Sequence, residues 1–146
     1  MTRPEVISAL ALLISIGSLA SSIFWNWRDR ARLRTNSTYV PYWEGNDNPA
    51  HVMVSVVNAG RRPTILRMWV GAESKENWVG RYLGEGGIGL RLAEHEKHEF
   101  KLEKDDLFEV TPDGDVLIGD LWFEDTLGRR HLVKNAKRNL QQLWTA

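Results

Sequence analysis

Residues 6–27, VISALALLISIGSLASSIFWNW, run without a charged side chain. As an α-helix rising about 1.5 Å per residue, such a stretch is roughly 33 Å long, enough to cross a hydrocarbon core of about 30 Å. The flanks agree. Trp25 and Trp27 sit where indole rings favour the headgroup zone, and charge begins at once with Arg28, Asp29 and Arg30. A cleaved secretory signal is the rival reading, because Ser18-Leu19-Ala20 resembles a small-residue cleavage site. The apolar run continues past that cut through Ile23, Phe24 and Trp25, and only Arg3, offset by Glu5, precedes it, which favours an anchor. Arg28, Arg30, Arg32 and Arg34 follow the stretch against Arg3 before it. The positive-inside bias then predicts a single-pass protein of the cell membrane, with its N-terminus outside and its C-terminal domain in the cytoplasm.

One face of the predicted helix carries only small residues. Ser8, Ala11, Ser15, Ser18 and Ser22 recur at steps of three and four, which confines them to an arc of roughly 80°. Within lipid, small side chains let a second helix approach closely, and serine hydroxyls bond across the contact or back to the i−4 carbonyl. The face predicts a helix contact, either in a homo-oligomer or with a partner's helix.

Lys plus Arg and Asp plus Glu both number 19, so the whole chain makes no case for nucleic acid, and charge has to be read locally. Cysteine is absent, which removes disulfides, a thiolate nucleophile and Cys-based zinc. The chain divides into a short tail (1–5), the transmembrane helix (6–27), a basic juxtamembrane segment (28–37), a β-domain (38–134) and an amphipathic helix (135–146). The helix is expected to continue briefly through 28–34 until Asn36, Ser37 and Thr38 break it.

Beyond residue 38 the apolar period changes to two. Strands are predicted at 39–43, 51–57, 64–72, 78–83, 90–92, 98–102, 116–124 and 131–134, with one helical turn within 103–109. In 64–72, Leu66, Met68 and Val70 share the face expected to be buried, and Ile65, Arg67 and Trp69 the other. Residues 84–89, GEGGIG, spell GxGxxG. No helix follows, so the stretch reads as a flexible connection rather than a dinucleotide site. In the tail, Val133, Ala136, Leu140 and Leu143 fall at helical spacing, which predicts a helix docked on the domain.

Short strands at near-regular spacing, with turns such as 58–63 and 125–130, predict a mainly β fold: an immunoglobulin-like β-sandwich of about seven strands behind the anchor. This layout resembles small bacterial and phage single-pass membrane proteins that carry such a sandwich. The resemblance implies no activity, and the cysteine pair of antibody domains is absent.

An immunoglobulin-like topology sorts the loops into two ends. Arg61, Arg62, Arg129 and Arg130, with His95 and Lys97, fall at the end facing the membrane, where they join Arg28, Arg30, Arg32 and Arg34 as contacts for the lipid bilayer surface. Asp105, Asp106, Glu109, Asp113 and Asp115 fall at the opposite end as a surface for a membrane or cytosolic protein partner. No Ser, His and Asp arrangement, paired catalytic carboxylates, metal-ligand spacing or cofactor motif emerges, so no enzyme is expected. The sequence therefore predicts a membrane-anchored, non-catalytic protein interaction or assembly module. The alternative is an exported, tethered sandwich that binds an envelope ligand or glycan through Trp43, Trp69, Trp78 and Trp122.

Overall fold

The computed structural model describes residues 3–28, 30–45, 48–111 and 114–146. Helix α1 (Arg3–Arg28) opens the chain. Its segment Pro4–Trp27 is long and apolar enough to cross a membrane, a test that a signal sequence also passes, and none of its most apolar window is buried against the rest of the protein.

The remainder is mainly β. Strand β1 (Leu33–Val40) pairs antiparallel with β2 (His51–Asn58) over its whole length, and β2 pairs with β6 (Lys97–Glu103). A second sheet has the order β10 (Arg130–Leu132), β9 (Asp120–Asp125), β3 (Thr64–Ala72), β4 (Trp78–Tyr82), and β5 (Leu90–Leu92) joins the lower part of β3. Strands β7 (Phe108–Thr111) and β8 (Gly114–Leu117) form a separate hairpin. Val52, Val54 and Val56 of β2 and Leu102 of β6 share one buried cluster with Leu66 of β3 and Leu121 and Phe123 of β9. The sheets therefore meet across a common core, and the Phe100 and Phe123 rings touch across it at 5.4 Å. Each such fully buried side chain contributes about 1.5–3 kcal/mol.

Helix α2 (Ala136–Thr145) closes the body. Its buried Ala136, Leu140 and Leu143 join the core, while Asn139 donates to Ser37 Oγ at 2.9 Å and Ser37 donates on to Lys134 O at 2.9 Å. Docking thus satisfies the polar groups that it buries.

Several local expectations are corrected. The helix does not continue through 28–34, nor do Asn36, Ser37 and Thr38 break it. Arg34 through Thr38 lie inside β1, which starts within the expected juxtamembrane stretch because eight consecutive pairings with β2 outweigh local helical preference. The strand expected at 39–43 ends at Val40, ahead of Pro41. The strand expected at 116–124 is two strands, broken at Ile118 and Gly119, whose N–H groups donate to Leu107 O and Ala72 O.

On β3 the expected burial of Leu66, Met68 and Val70 holds, but the three do not share one face. A β-bulge between Leu66 and Met68 resets the alternation, so Trp69 stands opposite Phe123 on the core face. Met68, Val70 and Ala72 turn outward yet stay buried, at 9%, 2% and 4% exposure. Across the strands they lie level with Tyr82, Gly80 and Trp78 of β4 and with Glu124, Trp122 and Asp120 of β9. Aromatic side chains of the sheet itself thus roof its outer face.

The GxGxxG stretch forms a single 3-10 turn, Glu85–Gly87, between strands. Gly84 has φ +77°, and a Cβ there would stand 2.4 Å from Gly89 O, so the glycine serves the tight turn.

Candidate functional site

The strand registers set two ends apart. Turns 59–63, 93–96 and 126–129 lie where α1 enters, and segments 41–45, 48–50, 73–77, 104–111 and 114–119 lie at the far end.

Buried polar side chains build the near end. Asn58 is 0% exposed: its Nδ2 donates to Arg62 O at 2.7 Å and Leu92 O at 3.2 Å, and its Oδ1 accepts from the Gly60 N–H at 3.0 Å. One side chain thereby fixes the turn that carries Arg61 and Arg62. Gly60 touches the connection from α1 so closely that a Cβ would stand 2.2 Å from Arg30 O, and the Ala59 N–H donates to Arg32 O at 2.7 Å.

Asp125 does the same for the neighbouring turn. Its Oδ1 accepts the N–H groups of Leu127 and Arg129, each at 2.9 Å, and its Oδ2 lies 3.1 Å from His131 Nε2. Burial alone would push this carboxyl up. The Arg129 N–H, the His131 ring and the Leu127 N–H outweigh it and hold the group below the usual carboxylate range.

The predicted membrane-surface arginines go to different places. Arg30, Arg62 and Arg129 line one cleft of about 550 Å³ beside Asn26, at the end of α1. Arg32 and Arg61 line another of about 420 Å³ with Phe24 and Trp27, and the Arg32 guanidinium lies 4.8 Å over the Trp27 ring. Arg34 is exposed on β1. Arg28 ends α1, and its side chain lies outside the described residues. Arg130 instead lies 5.2 Å over the Trp122 ring on the outer face of the second sheet. His95 stands beside Glu94, and His98 packs against Phe100. Among the described residues no group of three His, Cys, Asp or Glu gathers as metal ligands would.

At the far end the predicted acidic surface is partly engaged. Asp106 Oδ2 accepts the Glu103 N–H at 2.8 Å and closes a capping box on the 3-10 turn Lys104–Leu107. Arg81 bridges Asp106 and Glu109. Asp105 and Asp115 are exposed, and Asp113 lies outside the described residues. Phe108 and Val110 of the hairpin stand exposed among them, at 47% and 75%.

The deepest relief of the far half is aromatic. A cleft of about 520 Å³ is lined by Trp78, Trp122, Asp120, Arg130, Leu132 and Lys137. A second, apolar groove of about 270 Å³ is lined by Leu107, Leu117, Ile118, Leu140 and Trp144. Gly119 and Lys137 line both, so the two adjoin. Trp78 and Trp144 are 53% and 46% exposed, and the buried Trp122 Nε1 finds no hydrogen-bond partner among the described residues.

Of the tryptophans expected at a ligand surface, Trp78 and Trp122 meet here. Trp69 is turned into the core by the bulge, and Trp43 is exposed in the loop after β1. Trp144, Lys137 and Arg130 are additions that sequence reasoning missed. Trp144 was signalled only by its place at the end of an amphipathic helix.

On α1, Ser8, Ala11, Ser15, Ser18 and Ser22 are all exposed, and Ser15 Oγ donates to Ala11 O at 2.9 Å.

Comparison with known proteins finds no matching family model, no matching curated protein and no matching solved structure.

Proposed function

We propose that the chain is a membrane-anchored, non-catalytic protein interaction module: α1 spans the bilayer, the body sits in the cytoplasm, and the adjoining clefts at the far end take a segment of a partner protein. The carrying observation is that Trp78 and Trp122 line one cleft and Trp144 an adjoining one, with Trp78 and Trp144 half exposed. Exposed aromatics in a concave, mostly apolar groove are the usual anchors of protein recognition. Asp105 and Asp115, exposed at the same end, suit a partner segment that carries apolar and basic side chains. The exposed face of Ser8, Ala11, Ser15, Ser18 and Ser22 is read as the contact for a second helix, either of another copy or of the partner.

The body is read as an immunoglobulin-like variant. The orders β1-β2-β6 and β10-β9-β3-β4 correspond to the A-B-E and G-F-C-C′ sheets of such folds. Trp69, on the third strand, packs in the core beside Val54 and Phe123, the region of the core tryptophan in antibody domains.

The mixed polarity of the Trp78 and Trp122 cleft favours a second reading, in which the body is exported and stacks a glycan on these indoles. Sidedness separates the two. The natural chain has no cysteine, so a Glu76→Cys variant carries one exposed thiol. Labelling by an impermeant maleimide only after cell lysis supports the cytoplasmic reading, whereas labelling of intact cells overturns it in favour of the second. A photo-crosslinker at Lys137 should then give a discrete protein adduct that one at Glu99, on the opposite sheet, does not. Equal adducts from both positions would end the groove assignment.

A further inference from the structure

We infer that the cleft between α1 and the body, formed by Arg30, Arg62 and Arg129 beside Asn26, binds the phosphate of one anionic phospholipid headgroup. The inference rests on the reading of α1 as a membrane span, and it is independent of which side the body faces.

Three arginines from separate elements line this cleft: Arg30 from the connection after α1, Arg62 from the turn after β2, and Arg129 from the turn before β10. None of the three forms an ion pair with a described residue. Guanidinium forks match phosphate oxygens bidentately, and three unneutralised ones in one concavity leave a positive field that an anion relieves.

Among the described residues the lining contains one carboxylate, Asp125, and both of its oxygens are engaged inside the protein, with Leu127, Arg129 and His131. It therefore holds the wall in shape. Thr64 and Thr126 add hydroxyls to the rim. A volume of about 550 Å³ suits a glycerophosphate headgroup and falls within the range of small-molecule sites.

Depth points to a lipid source. Asn26 stands between Trp25 and Trp27 in the last turn of the segment long enough to span a membrane, and it lines the cleft itself. With tryptophans at the interface, the opening lies at the level of the headgroups. The wall is also preformed: Asn58 fixes the turn of Arg62, Asp125 fixes that of Arg129, and the Gly60 contact holds the connection bearing Arg30. Little ordering cost then falls on binding.

The test uses the full chain in detergent micelles, with native mass spectrometry and thermal unfolding as readouts. The probes are short-chain phosphatidylglycerol, short-chain phosphatidylcholine and inorganic phosphate. Wild type is expected to retain one phosphatidylglycerol and to bind it about tenfold more tightly than the zwitterionic lipid. Arg62→Gln with Arg129→Gln should lose that preference. Lys101→Gln with Lys104→Gln, an equal charge change toward the far end of the body, should keep it. Circular dichroism checks that both variants are folded. Identical lipid binding by the two double variants overturns the site. Phosphate binding that depends on the same arginines without any gain from the lipid overturns the lipid source and leaves a phosphate site. Membrane extraction with alkaline carbonate is run in parallel. A chain that washes off refutes the span, whereas one that stays while the arginine variant binds as wild type refutes the headgroup site alone.

Discussion

The two ends of the body are stabilised by different means. Near α1, two buried polar side chains, Asn58 and Asp125, each satisfy several backbone groups and fix the turns that carry exposed arginines. At the far end the polar ties are exposed: a capping box, the bridge from Arg81, and Asn77, whose Nδ2 donates to Glu73 and to Asp115 O, hold the turns and the hairpin, while Trp78 and Trp144 stand half exposed. One end spends its polar chemistry inward, on shape. The other displays its side chains outward.

Substitutions should separate the ends by magnitude. Asn58→Ala leaves the Gly60 N–H and the carbonyls of Arg62 and Leu92 without their partner, and it should cost about 2–4 kcal/mol in urea unfolding of the micelle-bound chain. Asp125→Asn, which keeps the shape but removes the charge, should cost about 1–2 kcal/mol at neutral pH. Its pH dependence has a definite sign. A carboxyl held low in the folded state contributes stability fully present above its ordinary value, near about pH 4, and lost as pH falls through the lower folded value. The margin of wild type over Asp125→Asn should therefore shrink below about pH 4, and a margin that grows in acid would contradict the assigned hydrogen bonds. Trp144→Ala at the far end should change stability by about 1 kcal/mol or less, since the ring is half exposed, while removing the crosslink from Lys137. Arg81→Ala should fall within about 0.5 kcal/mol, the usual worth of an exposed ion pair. If Arg81→Ala costs as much as Asn58→Ala, the contrast between the ends is wrong.

Elements governed by local pattern were legible in the sequence. The apolar helix, the valine-rich β2 and the buried stripe of α2 each carry a period that one segment determines alone. What depended on distant pairing was not legible. β1 contains Asn36 and Ser37, poor strand formers, and exists because β2 supplies a matching edge and Lys134 O accepts from Ser37. The bulge at Arg67 has no glycine to announce it, yet it alone turns Trp69 inward and sends Met68 and Val70 to the outer face. The aromatic clefts were legible only in part: Trp78 and Trp122 were expected at a ligand surface, but nothing in the sequence brought Trp144, distant in the chain, beside them. Arg130 was grouped with Arg129 as its sequence neighbour. In a strand, adjacent residues point to opposite faces, and the structure sets Arg130 over an indole instead.

The contact of Gly60 with residues 30–32 fixes more than a turn. With α1 in a bilayer, a joint this short and closely packed works as a mast step rather than a tether. Strands of eight residues reach roughly 26 Å, so the groove would ride at nearly constant height above the leaflet. In the proposed reading the search for a partner would become two-dimensional, confined to whatever moves through that thin layer. Any twist imposed on α1 by a neighbouring helix would pass into the azimuth at which the groove faces its surroundings.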